Sequence, residues 1–202
     1  MWLAAARDAF IQNGLEAVRI QPLATALGLS RTSFYWFFKD RGQLLDALLY
    51  DWDLTNTSSL IGATEAYAET ITEAVLNLIG IFLEDGPFEP GLDLAVRGWA
   101  HQSAEVALRV NVADETRLTA IRQMFTRFGF PSGAADVRAR SVYLVQIGYI
   151  ALQAREDMAT RMSRIPDYVQ TFTGKTPSQQ ELRRFHAQHT SSATGTGAGQ
   201  PR

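Results

Sequence analysis

Apolar positions recur at helical spacing along most of the chain, and glycine, proline and short polar runs separate the segments they define. Leu3, Ala6, Phe10 and Ile11 share one face of a helix predicted over Trp2–Asn13, with Asn13-Gly14 as its stop. Pro22 suits the first turn of a second helix whose apolar side is Leu23, Ala24 and Leu27, and Gly28 ends it. Ser30 is placed to cap a third helix that begins at Arg31 and turns Phe34 and Phe38 inward. Asp40, three residues before Gln43, forms a capping box that opens a fourth helix through Leu44, Leu45, Leu48, Leu49 and Trp52.

A polar break over 55–59 follows, and the spacing then predicts a helix over 63–84 from Ile71, Val75, Leu78, Ile79 and Phe82. Two shorter helices are expected over 92–101 and 104–110, and another over 114–128 with Leu118, Ile121, Phe125 and Phe128, stopped by Gly129 and Pro131. Within SVYLVQIGYIAL, residues 141–152, apolar side chains point in almost every direction, and such a helix must be covered on all sides. Its own domain covers one face. A second copy of the same helix is the reading preferred for the other, through Phe125, Val142, Val145, Tyr149 and Leu152, with Gly148 allowing close approach; a fully internal helix of a monomer is the alternative. Pro166 is expected to break this region, and Thr176, Pro177 and Gln179 to open a last helix bearing Leu182 and Phe185. Residues 190–202, TSSATGTGAGQPR, have the composition of a disordered tail.

The pattern is all-α: a three-helix N-terminal unit over 1–45 containing a helix-turn-helix, a larger helical unit over 46–189, and the tail. Helices of the second unit could enclose an apolar small-molecule pocket, with Trp52, Phe82, Trp99 and His101 as candidates to line it. A chain of 202 residues buries a core without staples, and it has no cysteine, so thiol nucleophiles and cysteine metal sites are excluded. No stretch reaches the roughly 18 apolar residues of a membrane span, and no leader pattern is visible, so a cytoplasmic protein is expected.

The net charge of −2 hides a segregation: residues 1–41 carry +2, residues 42–114 carry −10 and residues 115–202 carry +6. Arg19, Arg31, Lys39 and Arg41 lie in or beside the second and third helices, against one acid, Asp40. Small polar residues opening a helix let its backbone approach base edges, and an adjacent arginine can pair bidentately with guanine. The residues of this pattern are Arg31, Thr32 and Ser33, with Gln21 beside them; Tyr35, Trp36, Lys39 and Arg41 are candidates for phosphate contacts.

Catalytic patterns are missing. There is no glycine-rich phosphate loop, GxSxG turn or HExxH pair, and Glu84-Asp85 and Glu156-Asp157 are sequence neighbours that do not face each other on a helix. His186 and His189, three apart, are a possible metal pair but are better read as a solvated surface. No enzyme activity and no cofactor are called for.

The run ALGLSRTSFYWFFKDRGQLL, with Ala24, Gly28, Ser30, Tyr35, Phe37, Phe38, Lys39, Leu44 and Leu45, resembles the end of the DNA-binding domain of TetR-family transcriptional regulators. The family often has histidine where Phe37 stands and lysine where Arg41 stands, so one polar contact is lost and one charge kept. A basic lead-in common in the family is missing before Trp2; either the protein lacks that arm or the sequence begins late. The resemblance implies a homodimer on a palindromic double-stranded DNA operator, a fourth helix that transmits movement, and repression relieved by a small-molecule effector. A helical carrier or an interaction module without DNA binding is the alternative from the residues alone.

Overall fold

The apolar stripe at the start of the chain closes into α1 (Trp2–Asn13), which buries Trp2, Ala6 and Phe10. A computed structural model describes residues 1–83 and 86–190, and every regular element among them is helical. Glu84-Asp85 and the expected tail beyond residue 190 lie outside the described residues. Behind α1 come α2 (Ile20–Leu27) and α3 (Arg31–Phe34), then α4 (Arg41–Trp52), capped as expected by Asp40, whose Oδ1 accepts from Gln43 N at 2.9 Å.

The expected break over 55–59 does not interrupt the rod. A wider π-type turn, Asp53–Thr57, carries α4 straight into α5 (Ser58–Glu65). Two of its polar residues, Asn56 and Thr57, are buried and partnered. Asn56 exchanges bonds with the backbone of Glu89 at 3.1 and 2.9 Å, and Thr57 Oγ1 accepts from Arg117 Nε at 3.0 Å. The helix expected over 63–84 is split, because Thr70 caps a new one, α6 (Ile71–Gly80), by accepting from Glu73 N.

Pro90 occupies the first turn of α7 (Pro90–Ala100). The two helices expected over 104–110 and 114–128 form one, α8 (Ala104–Arg127), since Ala113 is buried and keeps the apolar period through the polar residues between them. α9 (Ser132–Ala151) precedes α10 (Met158–Thr173), which continues through Pro166 instead of breaking there. The proline gives no N–H to the carbonyl of Met162, a cost of about 3 kcal/mol. Burial of Met162, Ile165, Val169 and Phe172 along one face offsets it. Last comes α11 (Gln179–Thr190).

Two apolar cores result. One joins α6, α8, α9, α10 and α11. The other runs from Trp2, Phe10, Val18, Leu23 and Phe34 through Leu44, Leu48 and Trp52 of α4 to Leu92 and Val96 of α7 and Val106 of α8. The boundary expected after residue 45 therefore falls inside α4, whose two ends share one core.

Between the cores sits a buried ionic cluster. Asp93 and Arg117, both without solvent exposure, pair at 3.0 Å; Trp52 Nε1 donates to Asp93 at 2.8 Å, and Arg97 bridges Asp93 and Asp114, each at 2.6 Å. Burial pushes the Asp93 carboxyl up, but the Arg117 and Arg97 guanidiniums outweigh it and hold the group below its ordinary value. The Arg117 Nη2 has no hydrogen-bond partner among the described residues; its guanidinium lies over the rings of Trp52 and Phe88, at 4.9 and 5.4 Å.

Candidate nucleic-acid interface

Gly28 takes the left-handed conformation, φ 64°, that turns α2 into α3, and Leu29 N closes the turn on Ala24 O at 2.9 Å. Ser30 then caps α3, its Oγ accepting from Ser33 N at 3.2 Å. Phe34 anchors this short helix. Its side chain is completely buried, with Trp2 edge-on at 5.3 Å and Phe38 stacked at 5.5 Å. Because Phe34 holds one side inward, Arg31 and Thr32 are exposed, with Ser33 half-buried between them and the core. Gln21, in the first turn of α2, is exposed as well.

Arg31 Nη2 reaches Tyr35 Oη at 3.4 Å, so the guanidinium leans along the helix edge toward the phenol. Beyond α3 the chain continues in turns, and Tyr35, Trp36 and Phe37 stand out at 47, 79 and 61% exposure. Lys39 is exposed and has no carboxylate partner among the described residues; its backbone N–H donates to Gln43 Oε1 at 2.6 Å. An unpaired cation beside exposed aromatic and hydroxyl groups can contact phosphates, while the α3 edge can approach bases.

Arg41 is held by the backbone. Its Nε donates to Val18 O at 2.6 Å and its Nη2 to Leu15 O at 2.9 Å, so the guanidinium ties the segment before α2 to the start of α4. These bonds position the helix pair and leave Nη1 without a hydrogen bond among the described residues.

The four expected pocket residues do not line one cavity. Trp52 belongs to the ionic cluster, Trp99 packs edge-on at 6.0 Å from Phe10 of α1, and His101 is exposed just past α7. Only Phe82 of the four borders a cavity of about 330 Å³ between α7, α9 and α10, lined also by Leu94, Gln146, Tyr149, Ile150 and Arg161. Periodicity could not have found this set, because its members come from different helices.

The expected dimer residues divide similarly. Phe125 and Val142 are fully buried in the chain's own core and cannot meet another copy, because both point to the side of α8 and α9 that packs inward. Val145 and Tyr149 are half-buried, and Leu152 is 82% exposed. The outward stripe of α9 instead consists of Val137, Ser141, Leu144 and Gly148, continued by Leu152.

His189 is not a solvated partner of His186; its ring lies 4.6 Å from Phe185 and against Gly80 of α6, and burial pushes its pKa down. No helix among the described residues is long and apolar enough to cross a membrane.

Residues 3–48 match the sequence profile described as bacterial regulatory proteins, tetR family. Among the solved structures that resemble most of the chain are three regulators or relatives from different bacteria. A TetR family transcriptional regulator, PfmR from Thermus thermophilus, is 20% identical over 88% of this chain and 99% of its own, with a TM-score of 0.63. Mycobacterium smegmatis AmtR is 18% identical over 98% and 94%, at 0.60, and Salmonella enterica GusR 15% identical over 94% and 93%, at 0.59. At these identities the likeness is one of fold. No curated protein matches the sequence.

Proposed function

We propose that the chain, whose residues 3–48 match the profile of the tetR family of bacterial regulatory proteins, is a regulator of that kind, which reads a palindromic operator as a homodimer and leaves it when a small molecule occupies the body. The observation that carries this reading is the outward edge of α3: Arg31, Thr32 and Ser33 at the surface, with Phe34 fully buried behind them. Base choice rests on Arg31, Thr32, Ser33 and Gln21, and affinity on Tyr35, Trp36 and Lys39.

The α9 stripe supports pairing of two copies. Val137, Leu144 and Leu152 are 64, 59 and 82% exposed, an unusual apolar concentration for one helix face, and Ser141 and Gly148 leave room for a close partner. A twofold dimer fixes the spacing of its two α3 edges, so half-sites should be separated by about one duplex turn, roughly 34 Å, or a multiple. Effector binding then acts by favouring a body conformation with a different spacing. A 100-fold release requires about 2.7 kcal/mol of differential affinity.

The test is selection of binding sites from a random duplex pool, followed by titration of the recovered site at several salt concentrations. An inverted repeat bound far more tightly than bulk DNA supports the proposal. Recovery of unrelated sequences, all bound with the same salt-sensitive affinity, would sink it.

A further inference from the structure

We infer that the cavity between α7, α9 and α10 is a binding site for a small carboxylic acid with an apolar body; this rests on the effector-release reading above and gives that effector a chemistry. Phe82, Leu94 and Ile150 supply apolar wall. Against them stands Gln146, only 5% exposed, whose Oε1 accepts a long 3.5 Å contact from Arg161 Nη2 and whose amide NH₂ donates to no described group. That nitrogen is not among the fully buried atoms left without a partner, so it keeps an opening at the cavity and is available to an acceptor that enters there.

Arg161 points the same way. Its guanidinium lies 5.1 Å from the centre of the Tyr149 ring and has no carboxylate partner among the described residues. Arg155, also in the cavity wall, likewise lacks one, while the neighbouring Glu156 is paired with Arg164. The first residues of α7, Pro90 and Gly91, form another wall and bring the positive end of that helix to the site. The acid beside them, Glu89, is drawn toward Arg7 of α1 at 2.9 Å. A planar fork and an amide NH₂ match the two oxygens of a carboxylate; an ammonium leaves both donors unanswered, and a neutral alcohol offers them one uncharged oxygen in place of two charged ones.

The position also explains how occupancy reaches DNA. Gly91 borders the cavity on one side and α1 on the other: Ile11 Cγ2 lies 3.0 Å from where a side chain at Gly91 would begin. Displacing the first turn of α7 therefore presses on the helix that carries the DNA-binding unit.

The experiment is isothermal titration calorimetry of the full chain with hexanoate, octanoate and phenylacetate, against octan-1-ol and octylamine. At least one acid should bind, and the eight-carbon acid should bind roughly tenfold or more tightly than its alcohol or amine. Arg161→Leu, checked by circular dichroism, should lose that preference, and Gln146→Leu should weaken it, with the alcohol unaffected in both. Equal binding of acid and alcohol to the unaltered protein, or no acid bound at millimolar concentration, overturns the site whatever the variants do. Operator release is read separately by fluorescence anisotropy: an acid that binds through Arg161 without weakening the DNA complex upholds the site and removes the release reading instead.

Discussion

Arg31 and Arg41 carry the same charge in the same stretch, yet their surroundings divide their work. Arg31 is exposed on the α3 edge, with one contact to Tyr35, whereas Arg41 donates to two backbone carbonyls. Truncating them should separate binding from folding. Arg31→Ala should cost roughly 1–3 kcal/mol on the operator and relax base preference, with unfolding free energy changed by less than about 0.5 kcal/mol. Arg41→Ala should lower unfolding free energy by about 2 kcal/mol, since charge-assisted bonds to two carbonyls are lost. Anisotropy titrations and urea denaturation of both variants check this pair; equal loss of specific and nonspecific binding in the Arg31 variant would count against its base contact. Sequence alone shows the charge and position of both residues but not the carbonyls that Arg41 meets.

At the scale of elements, what was legible is what is local. The glycine at 28, the serine cap at 30 and the Asp40–Gln43 pair act within a few residues, and the structure holds all three. The continuity of α8 and the passage of α10 through Pro166 depend on packing from other helices, which periodicity within one segment does not contain. The join of α11 to α6 was hidden for the same reason. Glu181, at the start of α11, accepts from Thr72 at 2.8 Å, from Ser178 N at 2.5 Å, and from Thr70, the cap of α6. Burial raises its pKa, but these donors outweigh it and bring the carboxyl down from 4.5 to about 2. A depressed folded-state pKa means that the stabilisation is complete above the unfolded value and is lost as pH falls from about 4.5 toward 2. Urea midpoints of the parent should therefore drop across this window, and Glu181→Gln should be less stable at neutral pH and flatter through it. A variant with the parent's slope would show that other carboxylates govern the acid limb.

For the whole molecule, the two cores and the ionic cluster between them bear on how parts move together. Asp93 of α7 meets Trp52 of α4 and Arg117 of α8, so the helix leaving the DNA-binding unit is tied to the body by directional bonds. The other whole-molecule feature is the apolar stripe of α9, which a lone chain leaves in water. Leu144→Glu should barely alter the fold of one chain, given its 59% exposure, but should abolish pairing and with it tight operator binding. Sedimentation velocity shows the outcome: a variant that remains dimeric places the interface elsewhere.

The wide turn over Asp53–Thr57 fixes how much the chain can be shortened there. Cutting out any one of those five positions would offer the backbone a more regular coil and, by ordinary helix propensity, a better one. It would also swing everything downstream by about 100°, one residue's share of a 3.6-residue turn, carrying Leu60 and Thr64 off the faces that now bury them. Such a deletion should gain local regularity and lose the fold, visible as a lowered melting temperature, so the irregular register is itself the specification of which way the body faces.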